Sequence, residues 1–458
     1  MRQWLSRAAP FIARAPLLLA APVGAVLAFA IYFVSRSRGY FPDEGSFCTV
    51  AQGLLHGRLP YRDLFNEKPP LQYFWTAAVM AISQPALAGA RLASTLALAV
   101  VLSFILRGPA KQIGQPAQLA VWAILAPLVA MDMFAFNNTA ESSLAVLFGL
   151  SALLLRKAAL GEAPAGKSAA ALGFLSGLAI GFRQSAIVPA LLLMFPPNKN
   201  FSKTAYCGGL AAGLLCWLAP LFMLGIGRDF FHSTVSFHLN NSSAMSYLRG
   251  PAIVDMAAGL LWILCLGWVA RVRANSRGLP WLLLWLVALG CSAFFRMDAF
   301  RLWPSTAAAL VLIAHEVPAR NAPSRLAPVA TALTALLLLI NFHPGKSGAQ
   351  LQLSSAIARA TRPEDRVWVG PFNPLAYCLA ERQPASRYYF ILPWTAKTEV
   401  RQRIIADIAG TQPRLIVLNE RDEFDISQTL PELFAIVSQR YHPIRTYGDT
   451  VFYERNGL

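Results

Sequence analysis

Apolar residues in this chain come in long blocks divided by short charged segments, without the spacing of an amphipathic surface helix. Leu17–Val34, Ala86–Leu106, Ala117–Met131 and Tyr206–Ile226 are such blocks, each flanked by charge or proline. About 20 apolar residues, rising 1.5 Å each, cross the hydrocarbon of a bilayer. The pattern therefore predicts about eleven spans, over residues 15–34, 86–106, 115–131, 139–156, 168–181, 184–195, 204–226, 253–270, 280–295, 301–316 and 325–341. Several are short, which predicts tilt or re-entrant pieces. The pair around Gly181–Gln184 is broken by Arg183 and reads as one kinked element. Arg2, Arg7 and Arg14 ahead of Ala15–Val34 resemble the start of a signal peptide. The run is long, however, and no clear small-x-small site leads into a soluble domain, so an uncleaved anchor is expected.

From about residue 345 the blocks give way to a mixed composition of 14 basic and 12 acidic residues. Arg366–Gly370, Tyr388–Leu392 and Arg414–Leu418 read as short strands, with helices near 374–382, 397–410 and 430–440 and a β-like end at Ile444–Tyr453. This predicts a small α/β domain. The expected fold is thus a polytopic α-helical membrane protein, residues 1–344, carrying a small C-terminal α/β soluble domain, residues 345–458. Composition agrees: 56% of residues are hydrophobic and 14% charged, against roughly a quarter charged in an average soluble domain. Neither G-x-G-x-x-G nor a P-loop occurs, so nucleotide binding has no support. Cys48, Cys207, Cys216, Cys265, Cys291 and Cys378 are scattered singly, which predicts small core residues and supports neither a disulfide framework nor a zinc finger.

The formal charge of +17 is placed in a way that excludes nucleic acid as the reason for it. With the N-terminus inside, the cytoplasmic loops hold Arg107 and Lys111; Arg156, Lys157 and Lys167; Lys199 and Lys203; Arg271, Arg273 and Arg277; Arg320 and Arg325. This is the positive-inside bias that sets orientation on insertion. Of the acids before residue 345, only Glu162 and Glu316 fall inside; Asp43, Glu44, Asp63, Glu67, Asp132, Glu141, Asp229, Asp255 and Asp298 lie at or near the outer face. Carboxylates near hydrocarbon are costly and usually have a partner or a task. The working face is therefore expected outside, with two long outer loops, 35–85 and 227–252, and the C-terminal domain on the same side.

The first outer loop reads Tyr40-Phe41-Pro42-Asp43-Glu44-Gly45, then an amphipathic stretch to Gly57, then Tyr61-Arg62-Asp63-Leu64-Phe65-Asn66-Glu67-Lys68-Pro69-Pro70-Leu71. A carboxylate can act as a general base on a hydroxyl or bind a divalent cation. Lysine and arginine can hold phosphate oxygens. Together they suit transfer from a phosphorylated donor. A solvated loop with charges snorkelling to headgroups has the same composition.

An Asp-Glu pair after the first helix, followed by Lys-Pro-Pro-Leu, resembles the polyprenol-phosphate-sugar-dependent glycosyltransferases of the GT-C fold, which include protein O-mannosyltransferases and lipid A aminoarabinose transferases. Gly57-Arg58-Leu59-Pro60-Tyr61-Arg62-Asp63 through Leu71-Gln72-Tyr73 is similar to the bacterial branch. So are Ala90–Ser94, Asn138-Thr139-Ala140-Glu141, Gly177–Gln184, Asp365–Gly370 and Pro384–Tyr388. The resemblance implies that Asp43 is the catalytic base toward the acceptor, with Glu44 and Glu141 supporting. It implies that Lys68 meets the lipid-linked phosphate, with Arg183, Arg296 and Arg301 as further phosphate-binding candidates. Glu67 matches a carboxylate that helps some members bind a divalent metal ion, the one cofactor implied, and His232 and His238 are available to complete such a site. The family's His-Tyr beside the late charged cluster is missing here.

The implied partners are a polyprenyl-phosphate-linked sugar donor, an envelope lipid, glycan or protein acceptor, and membrane lipids. The implied place is the bacterial inner membrane. A transporter or lipid flippase of envelope polysaccharide assembly is the competing class, but transporters typically show two related halves and no internal repeat is visible. A non-catalytic assembly protein is the second competitor.

Overall fold

The computed structural model describes residues 42–83, 86–110, 140–159, 166–196, 201–237, 239, 253–272, 278–291, 299–316, 347–393, 395–419 and 426–457, with 21–22, 24–26 and 28–29. In chain order the elements are α1 (Pro42–Leu55), α2 (Leu71–Met80), α3 (Ala86–Ala110), α4 (Ala140–Ala159), α5 (Gly166–Phe182), α6 (Ile187–Leu192), α7 (Lys203–Met223), α8 (Gly227–Phe231), α9 (Ile253–Val272), α10 (Leu279–Leu289), α11 (Ala299–Glu316) and α12 (Ser347–Ala360), then β1 (Arg366–Gly370), α13 (Pro374–Ala380), β2 (Gln383–Pro384), α14 (Thr398–Thr411), β3 (Leu415–Asn419), α15 (Ile426–Thr429), α16 (Pro431–Arg440), β4 (Tyr441–Tyr447) and β5 (Thr450–Arg455). They divide into two compact units: Met1–Ser37 with Arg91–Leu218 and Leu248–His343, and Arg38–Ala90 with Ala219–Tyr247 and Pro344–Leu458.

The first unit is helical. Among the described residues α7 is the one helix long and apolar enough to cross a membrane by length and composition; Ala88–Phe104, Ser143–Leu155, Gly166–Phe182, Ala258–Arg271, Leu279–Leu289 and Arg301–Ile313 are shorter apolar helices. The expected spans 115–131 and 325–341, and most of 15–34, lie outside the described residues. α11 packs on α4, α9 and α10, burying Phe148, Trp285, Trp303 and Leu310. α5 and α7 come close because Gly173, Gly177, Gly209 and Gly213 present no side chain: a Cβ on any of them would strike backbone of the facing helix. Small residues four apart permit such approach in membrane helices. The break expected at Arg183 is present, as α5 ends at Phe182 and a 3₁₀ turn, Gln184–Ala186, leads into α6.

The second unit joins three distant segments of sequence. Its sheet has the order β2-β1-β3-β5-β4, with β1 parallel to β2 and β3, and β5 antiparallel to β3 and β4. The adjacent parallel strands β1 and β3 are apolar over Val367-Trp368-Val369 and Leu415–Leu418, as strands covered on both faces require. Ile404 and Ile408 of α14 and Leu433 and Val437 of α16 pack against them. Two strand assignments are corrected. Tyr388–Leu392 is non-strand chain, buried from Tyr389 onward, and β1 pairs instead with Gln383–Pro384; a short apolar run reads alike as strand or buried loop. The β-like end resolves into a hairpin, β4–β5, whose turn contains Gly448 at φ +57°.

The cysteine reading is also corrected. Cys48 of α1 and Cys378 of α13 form a disulfide across 330 residues. Single, distant cysteines leave no spacing from which pairing can be read. The bridge lies in a contact surface made by sequence: Gly45 allows α1 to touch the Leu375 backbone, where a Cβ would clash, and Thr49 Oγ1 donates to the Pro374 carbonyl at 2.9 Å.

Candidate active site

Helix α1 begins at Pro42, a residue suited to the first helical position, and sets Asp43 and Glu44 in its first turn, where the helix dipole favours negative charge. Four-residue spacing sorts these acids onto different stripes. Glu44 shares a stripe with Cys48 and Ala51, which faces α13, and is fully buried. Asp43 shares a stripe with Phe47, and its side chain is 35% exposed.

Lys68 reaches that stripe from the loop. Its Nζ lies 3.4 Å from Asp43 Oδ2 and 4.9 Å from the centre of the Phe47 ring. Its own side chain is 21% exposed, so the pair is reachable from solvent. The backbone beneath is fixed. Pro69 and Pro70 restrict φ and the residue before them. Tyr61 Oη donates to the Lys68 carbonyl at 2.8 Å, and the Lys68 amide donates to Asn66 Oδ1 at 3.3 Å. Buried Asn66 then donates from Nδ2 to Ser46 Oγ at 2.7 Å and to Tyr389 Oη at 3.0 Å, with Ser46 and Tyr389 bonded to each other at 2.9 Å. Burial raises the Tyr389 phenol well above its ordinary value, although the bonds to Ser46 and Asn66 oppose this. Burial likewise raises Tyr61 and Tyr73, with the Glu67 charge adding to it. These phenols therefore stay neutral and act as fixed donors.

The loop is held in turn by strain and packing. Tyr61 is fully buried at φ +68°, a conformation costly for a bulky residue. Its amide bonds to the Leu64 carbonyl at 2.7 Å, and its ring meets Phe230 edge-on at 5.3 Å. Arg58 donates to the carbonyls of Pro384 at 2.9 Å and Asp63 at 2.8 Å. Burial, then the nearby Arg366 charge, lowers its pKa to about 10. Arg62 pairs with Asp229 at 3.4 Å at the surface.

The other expected residues fall elsewhere. Glu67 is half-buried in the same loop and His232 is exposed at the end of α8. His238 and Arg296 lie outside the described residues. Among the described residues no group of three or more His, Cys, Asp or Glu side chains is placed to hold a metal ion. In the first unit, Arg183 pairs with Glu141, in the first turn of α4, and both line a narrow pocket with Arg301, Ser185 and Pro304. Glu141 is 4% exposed, so this is a buried pair.

Sequence reasoning did not find Asn66, Ser46, Phe47 or Tyr389. Asn66 lies two residues before the lysine, but nothing in its type distinguishes it from an ordinary loop amide.

No family model matches the sequence, and no curated protein matches it. Solved structures do, among them two of one protein. The crystal structure of ArnT from Cupriavidus metallidurans bound to undecaprenyl phosphate aligns with a TM-score of 0.61 at 14% identity, over 96% of this chain and 98% of that one. ArnT in the apo state aligns with a TM-score of 0.55 at 14% identity, over 94% and 96%. The resemblance read from Asp43 and the Lys-Pro-Pro segment thus holds at the level of fold: the chain has, nearly end to end, the architecture of ArnT.

Proposed function

We propose that the protein is a glycosyltransferase that moves a sugar from a polyprenyl-phosphate donor to an envelope acceptor at the outer face of the bacterial inner membrane. The observation that carries the reading is the Asp43–Lys68 pair, solvent-reachable yet mounted on a buried hydrogen-bonded platform. The likeness to ArnT bound to undecaprenyl phosphate supports the donor class.

An acceptor hydroxyl beside Asp43 gives its proton to the carboxylate as its oxygen attacks the anomeric carbon. The bond from that carbon to the phosphate oxygen breaks, its electron pair leaves on the phosphate, and one displacement inverts the centre. Lys68 stabilises the charge growing on the departing phosphate, and its fixed carbonyl means little reorganisation is needed. Arg301, beside the Arg183–Glu141 pair, is a further phosphate candidate.

Orientation has its own support. Disulfides persist in oxidising compartments, and Cys48–Cys378 ties the loop helix to the C-terminal domain. Both then lie outside, with the N-terminus cytoplasmic, as the basic loops also imply. The test is sugar release from a panel of purified polyprenyl-phosphate sugars by the protein in liposomes, with envelope extracts as acceptor. Turnover of one donor, abolished by Asp43→Asn and by Lys68→Ala in folded protein, is expected. No turnover of any donor, or normal turnover by either variant, would sink the reading.

A further inference from the structure

The C-terminal sheet has a cavity of about 510 Å³ at the end where β1 and β3 begin and antiparallel β5 finishes. That topology collects four arginines: Arg362 from the turn after α12, Arg366 opening β1, Arg414 preceding β3 and Arg455 closing β5. Two acids, Glu364 and Asp365, share the lining. Some of the charge is used internally. Arg414 donates to Glu454 Oε1 from Nε at 3.2 Å and Nη2 at 3.1 Å. Arg455 Nη1 donates to the Gln412 carbonyl at 3.0 Å and to its Oε1 at 3.4 Å. Asp365 Oδ2 accepts from the Arg362 backbone amide at 2.8 Å. The Arg362 and Arg366 side chains make no hydrogen bond or ion pair with any described residue. Four guanidinium groups face three carboxylates, Glu454 included, and two of the four present donor forks without acceptors among the described residues.

We propose that this cavity binds the phosphate group of an anionic ligand, with Arg362 and Arg366 as its principal donors and Arg455 beside them. A planar guanidinium fork matches phosphate oxygens in bidentate geometry. The cavity is roomy enough for the group and part of what bears it. A free phosphate ester and a phospholipid headgroup share this chemistry. The inference does not depend on glycosyl transfer, since it concerns binding alone.

Full-length protein in a neutral detergent is titrated calorimetrically with inorganic phosphate and, separately, with short-chain phosphatidic acid; short-chain phosphatidylcholine is the zwitterionic control. Each titration is repeated with Lys68→Ala, so that phosphate held near Lys68 is counted apart. Saturable binding of an anionic probe is expected to survive Lys68→Ala and to weaken roughly tenfold or more in Arg362→Ala/Arg366→Ala, since charge-assisted hydrogen bonds are lost. Arg362→Lys/Arg366→Lys should retain part of it and guards against a folding defect. Binding of inorganic phosphate indicates a free phosphate ester, and binding of phosphatidic acid alone indicates a headgroup. No saturable binding, unchanged affinity in the double alanine variant, or equal binding of phosphatidylcholine would overturn the proposal.

Discussion

Each unit of this molecule holds a carboxylate in the first turn of a helix, paired with a cation from a distant turn, yet the two pairs differ in kind. Glu141 and Arg183 are 4% and 16% exposed, in a narrow pocket. Asp43 and Lys68 are 35% and 21% exposed and 3.4 Å apart. A buried pair costs much to break, since whichever partner remains has lost its counter-charge in low dielectric. A half-exposed pair is opened at little cost, because water and an arriving anion replace what is lost. The lesson is that burial marks the structural pair, and accessibility is what the pair proposed for chemistry needs. What must be rigid at Asp43–Lys68 is the platform, and that is where the buried bonds of Tyr61, Asn66, Ser46 and Tyr389 are found.

The comparison breaks most sharply at the carboxylates. Asp43→Asn should lower sugar transfer by about 10²–10⁴-fold, the usual contribution of a general base, with the melting temperature unchanged. Glu141→Gln should do the reverse, losing roughly 3–5 kcal/mol of stability, as when one partner of a buried pair is removed. Transfer assays and thermal melts on both variants separate the two. If Asp43→Asn unfolds the protein while Glu141→Gln melts normally and is inactive, the roles are exchanged. Glu44→Gln belongs with Glu141: full burial makes stability the expected loss.

Next in size is the disulfide. Cys378→Ala should remove about 2–4 kcal/mol, typical of one native bridge, and lower the melting temperature of the second unit. Reductant should lower the melting temperature of the wild type and leave that of Cys48→Ala/Cys378→Ala unmoved. Alkylation of both cysteines in unreduced protein would show that the bridge does not form, and would withdraw its support for the outer location.

The first unit and the Asp43–Lys68 segment were legible in the sequence to different degrees. Block hydropathy gives helices near their observed positions, because a long apolar run in lipid has few alternatives to helix. Arg183 announces the break after α5, since a charge there cannot continue an apolar span. The Asp43 and Lys68 positions were legible by residue type and resemblance. Their support was not. Asn66 and Tyr389 are 323 residues apart, as remote as Cys48 and Cys378, and no local period encodes such a meeting. The same limit explains Tyr388–Leu392: its apolar character comes from burial in that web, which imitates a strand.

The smallest expected effect sharpens the comparison within a single loop. Arg62 and Lys68 both stand 3.4 Å from a carboxylate, so distance alone cannot rank them. Arg62 and Asp229 are 45% and 32% exposed, and Arg62 also donates to the Gly225 carbonyl at 2.5 Å. Exposed pairs are typically worth about 0–1 kcal/mol after screening, so Arg62→Ala should shift the melting temperature slightly and leave transfer within about twofold, a free-energy change of that order. Lys68 rests on a carbonyl fixed by Tyr61, and Lys68→Ala should abolish most transfer, while Lys68→Arg keeps the charge with altered geometry and retains a part. Measured at two salt concentrations, the small Arg62 effect should shrink further as salt rises. An Arg62→Ala loss as deep as that of Lys68→Ala would mean that the loop works by its density of positive charge, and that the buried platform beneath Lys68 has been given a part it does not play.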